Sequence, residues 1–270
     1  MPLWIDVHAD IGDWAFRRVT GSTPEALTAK MREYQGAVAL VGPVEGVLYR
    51  NPQEAARLLR ERLDAAGHPP WLVPVAVINP AYPGWKKDLD EAQSHGAAAI
   101  KLYPNYHNYN ADGVAARDLA SSAAGLGLPL LCCVRVEDER QHHWHMLRPA
   151  VPASAVARLA QLVPTARIIL VGANQAEIQA FLAATEKGCT WAEVSYLKSP
   201  QNAMETMVAA VGASRLLFGS HTPFIDPGVT LTKIECSALS QEDKNRVLRS
   251  NALGVWPQLS GLAGPASLPG

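Results

Sequence analysis

Two residues at the end of the first apolar run carry side chains that could bind one metal ion or one substrate together. His8 and Asp10 close the segment that begins at Leu3, and this segment is typical of a buried strand. Residues two apart in a strand project to the same face, so the imidazole and the carboxylate are predicted to point the same way. The pair could therefore close on one ion or one substrate.

Other ionisable side chains end later apolar runs. Lys101, Arg135 and His221 each terminate such a run, where a polar group is costly unless something binds it. Glu193 lies within a strand, and its direction cannot be read without the strand register. The residues at or just past the predicted strand ends are His8, Asp10, Gly42, Asn79, Lys101, Tyr103, Arg135, Glu137, Asp138, Gly172, Asn174, Glu193, Ser195 and His221.

Two of the cations are predicted to bind an anionic substrate. Arg135 could grip a carboxylate or phosphate through two parallel hydrogen bonds. Lys101 could form a Schiff base, carry a carbamate that bridges metals, or bind an anion as a plain cation, and we favour the last. The alternative for Lys101 is an ion pair with Glu137 or Asp138.

Loop residues complete the predicted substrate site. Tyr103 opens the aromatic loop 103–110, which could roof the pocket or simply be a structured surface loop. The loop 135–151 is rich in charge and histidine, and His143 and its two neighbouring histidines could supply a ligand or a base, or lie in solvent. The predicted substrate-binding residues are Arg135, Tyr103, Asp138, His143 and Asn174.

These residues are positioned by a repeating strand and helix pattern. The predicted strands after the first are 37–41, 71–78, 97–102, 128–134, 167–171, 190–194 and 215–218. Five predicted helices cover residues 23–34, 51–67, 83–94, 112–126 and 153–162. Asn174 is predicted to cap a sixth helix, and Pro200 to begin a seventh. Ser240 is predicted to cap the last helix, which ends near Ala252.

Continuous apolar strands are typical of a parallel sheet covered by helices. Eight such strand and helix units favour an α/β fold of the closed (β/α)8 TIM barrel type, with an open doubly wound sheet as the alternative. We expect one barrel domain over residues 1–260 and a flexible C-terminal tail over 261–270. Active sites of this barrel lie at the carboxyl ends of the strands, where the polar residues named above fall.

The amino-acid composition limits the classes of binding partner that are expected. Lys and Arg number 24 against 25 Asp and Glu in 270 residues, so no global field favours nucleic acid or an anionic membrane, and a small-molecule substrate is expected. Four cysteines without a C-x-x-C pair fit a reducing cytosol, and neither a signal peptide nor a membrane span is predicted. We expect a cytoplasmic protein, and the sequence leaves a homo-oligomer open.

Four segments together resemble the amidohydrolase-related family of metal-dependent hydrolases and decarboxylases. Ile5–Asp10 resembles its first-strand signature, which ends in His-x-His, and Ile100–Pro104 resembles its fourth-strand segment. Leu216–Pro223 resembles the eighth-strand signature Leu-Phe-Gly-Ser-Asp-x-Pro, and Leu239–Ala252 resembles the closing helix. H-E-x-x-H, Walker A, G-x-S-x-G and Rossmann motifs are not found.

The departures from this pattern concern the metal ligands. The resemblance implies one divalent ion held by two first-strand histidines, a histidine after strand five or six and an aspartate after strand eight. Here Asp10 stands at the second first-strand position, Cys133 and Gly172 at the middle positions, and His221 at the last one. Of these positions, only His8 has the same residue type as the corresponding ligand of the family.

Two interpretations stay open. In the first, His8, Asp10 and His221 form a set of two histidines and one carboxylate that holds zinc or manganese, and the ion activates a water. In the second, the site is metal-free, and the same residues form a hydrogen-bonded acid and base cluster in which a carboxylate orients an imidazole.

The resemblance implies an enzyme that hydrolyses a C–N or lactone C–O bond of a small anionic or cyclic substrate. The predicted catalytic residues are His221, Asp10 and Lys101, and His221 is either a ligand or the acceptor of the water's proton. The alternatives are non-oxidative decarboxylation and a metal-free barrel with a binding role, between which the fold does not decide.

Overall fold

The computed structural model describes residues 3–186 and 188–263. Its strands are β1 (Trp4–Ile11), β2 (Gly36–Pro43), β3 (Leu72–Pro74), β4 (Ala76–Val77), β5 (Ile100–Leu102), β6 (Leu130–Cys133), β7 (Ile168–Val171), β8 (Thr190–Glu193) and β9 (Leu216–Leu217). Its α-helices are α1 (Pro24–Tyr34), α2 (Gln53–Ala65), α3 (Trp85–Ser94), α4 (Pro104–His107), α5 (Val114–Gly125), α6 (Ala153–Leu162), α7 (Gln175–Ala183), α8 (Ala203–Val211), α9 (Pro227–Glu235), α10 (Gln241–Asn245) and α11 (Asn251–Val255).

The strands pair in parallel and in chain order, which confirms the predicted (β/α)8 barrel. The predicted strand 71–78 is interrupted at Val75, so that β3 pairs with β2 and β4 pairs with β5. The barrel closes where Ala9 bridges Thr222 and the Val7 N–H donates to the Phe218 carbonyl oxygen at 3.1 Å. Parallel strands buried on both faces produce the continuous apolar runs of the sequence.

Two apolar clusters lie on the two sides of the strands. Leu130, Cys132, Ile168 and Leu170 pack outward against the helices, whereas the alternate residues of the same strands, such as Leu131, pack in the lumen. Trp256 closes the lower end of the lumen, and its indole Nε1–H donates to the Ala98 carbonyl oxygen at 2.8 Å. The lumen is therefore a packed core below the polar residues at the carboxyl ends of the strands.

Several helix boundaries follow the predicted signals. Helix α6 has the predicted start, Asn174 caps α7, and Ser240 accepts from the Asp243 N–H at 3.1 Å, as predicted. The helix predicted to begin at Pro200 begins instead at Ala203, because Pro200 accepts from the Ala203 N–H within a preceding turn.

Other parts of the structure differ from the prediction. Helices α4 and α9 form in segments where none was predicted, the first within the predicted loop 103–110. The last helix continues from α10 through a π-helical turn, Arg246–Ser250, into α11 and passes the expected end near Ala252.

Most of the predicted tail, residues 264–270, lies outside the described residues. Ala263 is described, and it is buried against the barrel. No helix of the described residues is long and apolar enough to cross a membrane.

Candidate functional site

A bulge in β1 directs His8 and Asp10 into the lumen. Between Asp6 and Ala9 the register with β2 shifts, because Asp6 pairs with Ala39 and Ala9 pairs with Val41, which leaves one extra residue in β1. Ile5 and Val7 therefore pack in the lumen, but Ala9 packs on the outer side, and the lumen positions become 8 and 10. The predicted common direction of His8 and Asp10 is observed.

Three buried side chains from β1, β8 and the segment after β9 form a hydrogen-bonded cluster. His8 Nδ1 lies 3.3 Å from Glu193 Oε1 and 3.2 Å from His221 Nδ1. The His221 N–H also donates to the His8 carbonyl oxygen at 2.7 Å. All three residues are at most 1% exposed, so water does not compete for these contacts.

The hydrogen bonds assign the protons of the two imidazoles. His221 Nε2 lies 2.5 Å from the Val136 carbonyl oxygen, which can only accept, so His221 Nε2 carries the proton and its Nδ1 is an acceptor. His8 Nδ1 then donates, toward both His221 Nδ1 and the Glu193 carboxylate. In this arrangement His8 Nε2 keeps an unprotonated lone pair, and this atom is buried without a protein partner.

Glu193 is held as an acceptor by donors on both oxygens. Its Oε1 accepts from the Gly172 N–H at 2.6 Å and the Ser195 hydroxyl at 2.9 Å, and its Oε2 accepts from the Ser195 N–H at 2.6 Å. Burial raises the pKa of Glu193, whereas these donors lower it. The carboxylate therefore has a fixed orientation and presents Oε1 to His8.

Lys101 and Asp10 form a second buried group beside this cluster. Lys101 Nζ donates to Asp10 Oδ1 at 2.8 Å and to Oδ2 at 2.7 Å, and the two side chains are 1% and 4% exposed. The alternative considered for Lys101, an ion pair with Glu137 or Asp138, is therefore not formed, and the favoured role of Lys101 in anion binding stays a prediction. Glu137 accepts from Trp14 and Arg17, and Asp138 accepts from Arg140 and Lys198.

Burial and charge keep both imidazoles neutral. Burial lowers the pKa of His8 well below its usual value, and the positive charge of Lys101 lowers it further. Burial, His8 and Lys101 lower the pKa of His221 in the same direction. Burial also raises the pKa of Asp10, against the opposing effect of Lys101. The free nitrogen of His8 is therefore a proton acceptor in the resting site.

Asp6 joins the two strand ends that carry the histidines. Its Oδ1 accepts from the His8 N–H and the Ser220 N–H, both at 2.9 Å, and the residue is fully buried. His221, next to Ser220, adopts a left-handed backbone with a φ of 61°, which is uncommon for a residue with a side chain. These contacts fix the approach of the His221 ring to His8.

An aromatic cover separates the lumen from solvent. The rings of Tyr196 and Phe224 lie 5.3 and 5.5 Å from the His221 ring, and Trp14 packs edge to face on Phe224. The Trp14 indole N–H donates to Glu137 Oε2 at 2.9 Å, which joins the segment after β1 to the loop after β6. His8 is 1% exposed beneath these rings.

Arg135, Asp138 and Asn174 line an open cavity of about 570 Å³ outside this cover. The Arg135 guanidinium pairs with the Glu177 carboxylate and donates to the Gly172 carbonyl oxygen at 2.9 Å. Asn174 Oδ1 accepts from the Glu177 N–H as a helix cap. These residues are near the mouth, but the Arg135 guanidinium, the Asp138 carboxylate and the Asn174 side-chain oxygen already bind protein groups, and substrate binding by these residues stays a prediction.

The other predicted binding residues divide between the lumen and the surface. Tyr103 is buried rather than part of an exposed roof, and its ring centroid lies 5.4 Å from Lys101 Nζ. His143 is exposed and stacks on Phe16 at 5.5 Å between ring centroids. His143 therefore lies on the outer loop, away from His8.

The predicted ligand set of His8, Asp10 and His221 does not fit a metal ion in this arrangement. Both Asp10 oxygens are engaged by Lys101, and both His221 nitrogens face protein atoms. Among residues 3–186 and 188–263, no three histidine, cysteine or acidic side chains converge as a metal site. Of the three predicted ligands, only His8 keeps a ligand atom without a partner, its Nε2, whereas a protein zinc site has at least three ligands.

Glu193 is the residue of this site that the sequence analysis did not assign. In the metal-free interpretation the carboxylate that orients the imidazole was Asp10, but Asp10 is held by Lys101. The neighbours of Glu193, Ala192 and Val194, pack on the outer side of the barrel, which places Glu193 in the lumen. The continuous apolar strand around it carries no signal of that direction.

Comparison with solved structures identifies the same fold in enzymes. The 2,6-dihydroxybenzoate decarboxylase from Rhizobium is 13% identical with a TM-score of 0.72, covering 96% of this chain and 99% of that chain. The dihydroxybenzoic acid decarboxylase from Polaromonas sp. JS666, solved with manganese and 2-nitroresorcinol, is 14% identical with a TM-score of 0.72 over 96% and 98% of the two chains. A putative 2-pyrone-4,6-dicarboxylic acid hydrolase from Pseudomonas putida is 16% identical with a TM-score of 0.64 over 95% and 98%.

These similarities establish the barrel, and a match to the sequence establishes the family. The family described as Amidohydrolase matches residues 5–258, which include all the lumen residues discussed above. The chain belongs to the amidohydrolase family, as the sequence analysis predicted. A search of curated proteins finds no match to this chain.

Proposed function

We propose that this protein is a hydrolase that cleaves a C–N or lactone C–O bond in a small anionic or cyclic substrate, with His8 as the general base. The observation that carries the proposal is the buried, unpartnered Nε2 of His8, whose Nδ1–H faces the Glu193 carboxylate. A carboxylate behind the opposite nitrogen fixes the tautomer and stabilises the imidazolium that forms. This arrangement suits a group that takes a proton from water.

The proposed hydrolysis uses the His8 base and the Lys101 charge in turn. His8 Nε2 removes a proton from a water molecule, the oxygen attacks the substrate carbonyl carbon, and the carbonyl oxygen becomes an anion. The Lys101 ammonium supplies positive charge for that anion in a desolvated site, where it is worth more than in water. The His8 imidazolium then gives its proton to the leaving nitrogen or oxygen as the tetrahedral intermediate collapses. We assign His221 a positioning role, because both of its nitrogens are engaged.

Non-oxidative decarboxylation is the second candidate, because two of the similar structures are decarboxylases of dihydroxybenzoates. That reaction on an aromatic ring requires a proton donor for the ring carbon. The resting His8 Nε2 is an unprotonated acceptor and offers no proton for that step. This feature favours hydrolysis.

The test is a product-resolved activity screen with carboxylated lactones, carboxylated cyclic amides and hydroxybenzoates. We expect ring opening of a lactone or amide, with one oxygen from ¹⁸O-labelled water in the new carboxylate and no carbon dioxide. The matched control replaces His95, an exposed histidine at the end of α3, with Gln, and this variant should keep the wild-type rate. Release of carbon dioxide from a hydroxybenzoate would instead establish the decarboxylase, and binding without turnover would indicate a non-catalytic barrel.

A further inference from the structure

The Lys101 ammonium is held in the lumen as a bound cation would be. Both oxygens of Asp10 accept from it, at 2.8 and 2.7 Å, and the Tyr103 ring faces it with its centroid 5.4 Å away. The Lys101 side chain is 1% exposed, so the charge is compensated by these groups rather than by water. Both oxygens of Asp10 thus face an internal cation.

The backbone of β2 comes close to the ion pair of Lys101 and Asp10 at Gly42. A Cβ atom added at Gly42 of β2 would lie 2.7 Å from Asp10 Oδ1 and 3.7 Å from Lys101 Cδ. The first distance is too short for a real contact, so a side chain here would displace the carboxylate from Lys101. The glycine at position 42 therefore permits the ion pair.

The positive charge of Lys101 shares the buried lumen with His8, and both residues are 1% exposed. A fixed cation in this desolvated space opposes the binding of a second cation there. Two groups could begin a metal site in the lumen, the Asp10 carboxylate and His8 Nε2. Lys101 occupies the first, and its charge disfavours a cation at the second.

We propose that the Lys101 ammonium is the resident cation of this site and excludes a divalent metal ion from Asp10 and His8. This proposal distinguishes the chain from the Polaromonas structure of the same fold, which holds manganese. The use of this charge during turnover rests on the proposed hydrolysis. The exclusion of metal does not, and it can be measured without a substrate.

The test measures Mn²⁺ binding to the full chain by electron paramagnetic resonance and by calorimetry. Mn²⁺ is the probe because the histidines of the outer loop, at 142, 143 and 145, would bind Zn²⁺ independently of the lumen. We expect no binding by the wild type and about one Mn²⁺ per chain in Lys101→Met, held by three donor atoms, the two freed Asp10 oxygens and His8 Nε2, with water in the remaining positions. The gain should disappear in the double variant Lys101→Met with His8→Gln.

The matched control is Lys87→Met on α3, where the lysine side chain is 82% exposed, and it should behave as the wild type does. Binding of about one Mn²⁺ by the wild type, or by Lys87→Met, would overturn the proposal. So would a folded Lys101→Met variant that binds none. If Lys101→Met does not fold, the thermal melting of the wild type decides: no shift in Tm with Mn²⁺ supports exclusion, and a rise in Tm contradicts it. Failure of the substrate screen leaves each of these results unaffected.

Discussion

The His8→Gln variant is expected to lose about 10²- to 10⁴-fold in kcat/KM, the usual contribution of a positioned general base. Gln can still donate to Glu193 from its amide nitrogen, so the cluster keeps a partner for the carboxylate. Its side chain has no basic nitrogen, however, and cannot take a proton from water. Initial rates on the substrate found by the screen measure the effect.

The fall should appear in kcat with little change in KM, because the proposed base acts on water rather than on substrate binding. Glu193→Gln should show the same division between kcat and KM, since Glu193 acts through His8. The His95→Gln control should keep both constants. Wild-type turnover by His8→Gln would remove His8 from the mechanism.

The Lys101→Met variant is expected to lose about 3 to 5 kcal/mol of unfolding free energy, the usual result of removing one partner of a buried ion pair. Met nearly matches the length of Lys, so the main defect is the buried Asp10 carboxylate, which loses both of its hydrogen bonds. Urea unfolding in the presence of a chelator measures the loss without metal binding.

The double variant Lys101→Met with Asp10→Asn should recover much of this stability, because it removes the unpaired charge. Lys87→Met should change the unfolding free energy little, since its ion pair is exposed to solvent. Equal stability of the double and single variants would contradict the assignment of the loss to Asp10.

The barrel could be predicted because its evidence is local. Each strand of a covered parallel sheet is a continuous apolar run, and helix starts such as those of α1 and α7 carry a cap at Thr23 and Asn174. The break of the third strand at Val75 has one weak local signal, Pro74, which has no N–H to donate to a neighbouring strand. It depends on the change of partner from β2 to β5, which is a property of the sheet rather than of the segment.

The candidate site could be predicted only in part. The positions of His8, Asp10, Lys101 and His221 at one mouth follow from the barrel, since the carboxyl ends of parallel strands meet there. The hydrogen-bond partners of these side chains could not be predicted in the same way. Lys101 and Asp10 are 91 positions apart, and the sequence offered Glu137 and Asp138 as nearer candidates.

The role of Glu193 depends on strand register. One residue of shift would move its side chain from the lumen to the helix side, and the apolar run around it is the same in both cases. The β1 bulge is a similar feature, because it decides which residues of the strand face inward. Such shifts are set by cross-strand hydrogen bonds that a single sequence does not display.

The central claim is that this site catalyses hydrolysis with His8 and Lys101 and needs no metal ion. Turnover by chelator-treated wild-type protein tests it most directly, with the metal content measured in the same preparation. We expect an unchanged kcat/KM in protein that holds well below about one metal ion per chain. Loss of turnover after chelation, with recovery on adding Mn²⁺ or Zn²⁺, would contradict the claim.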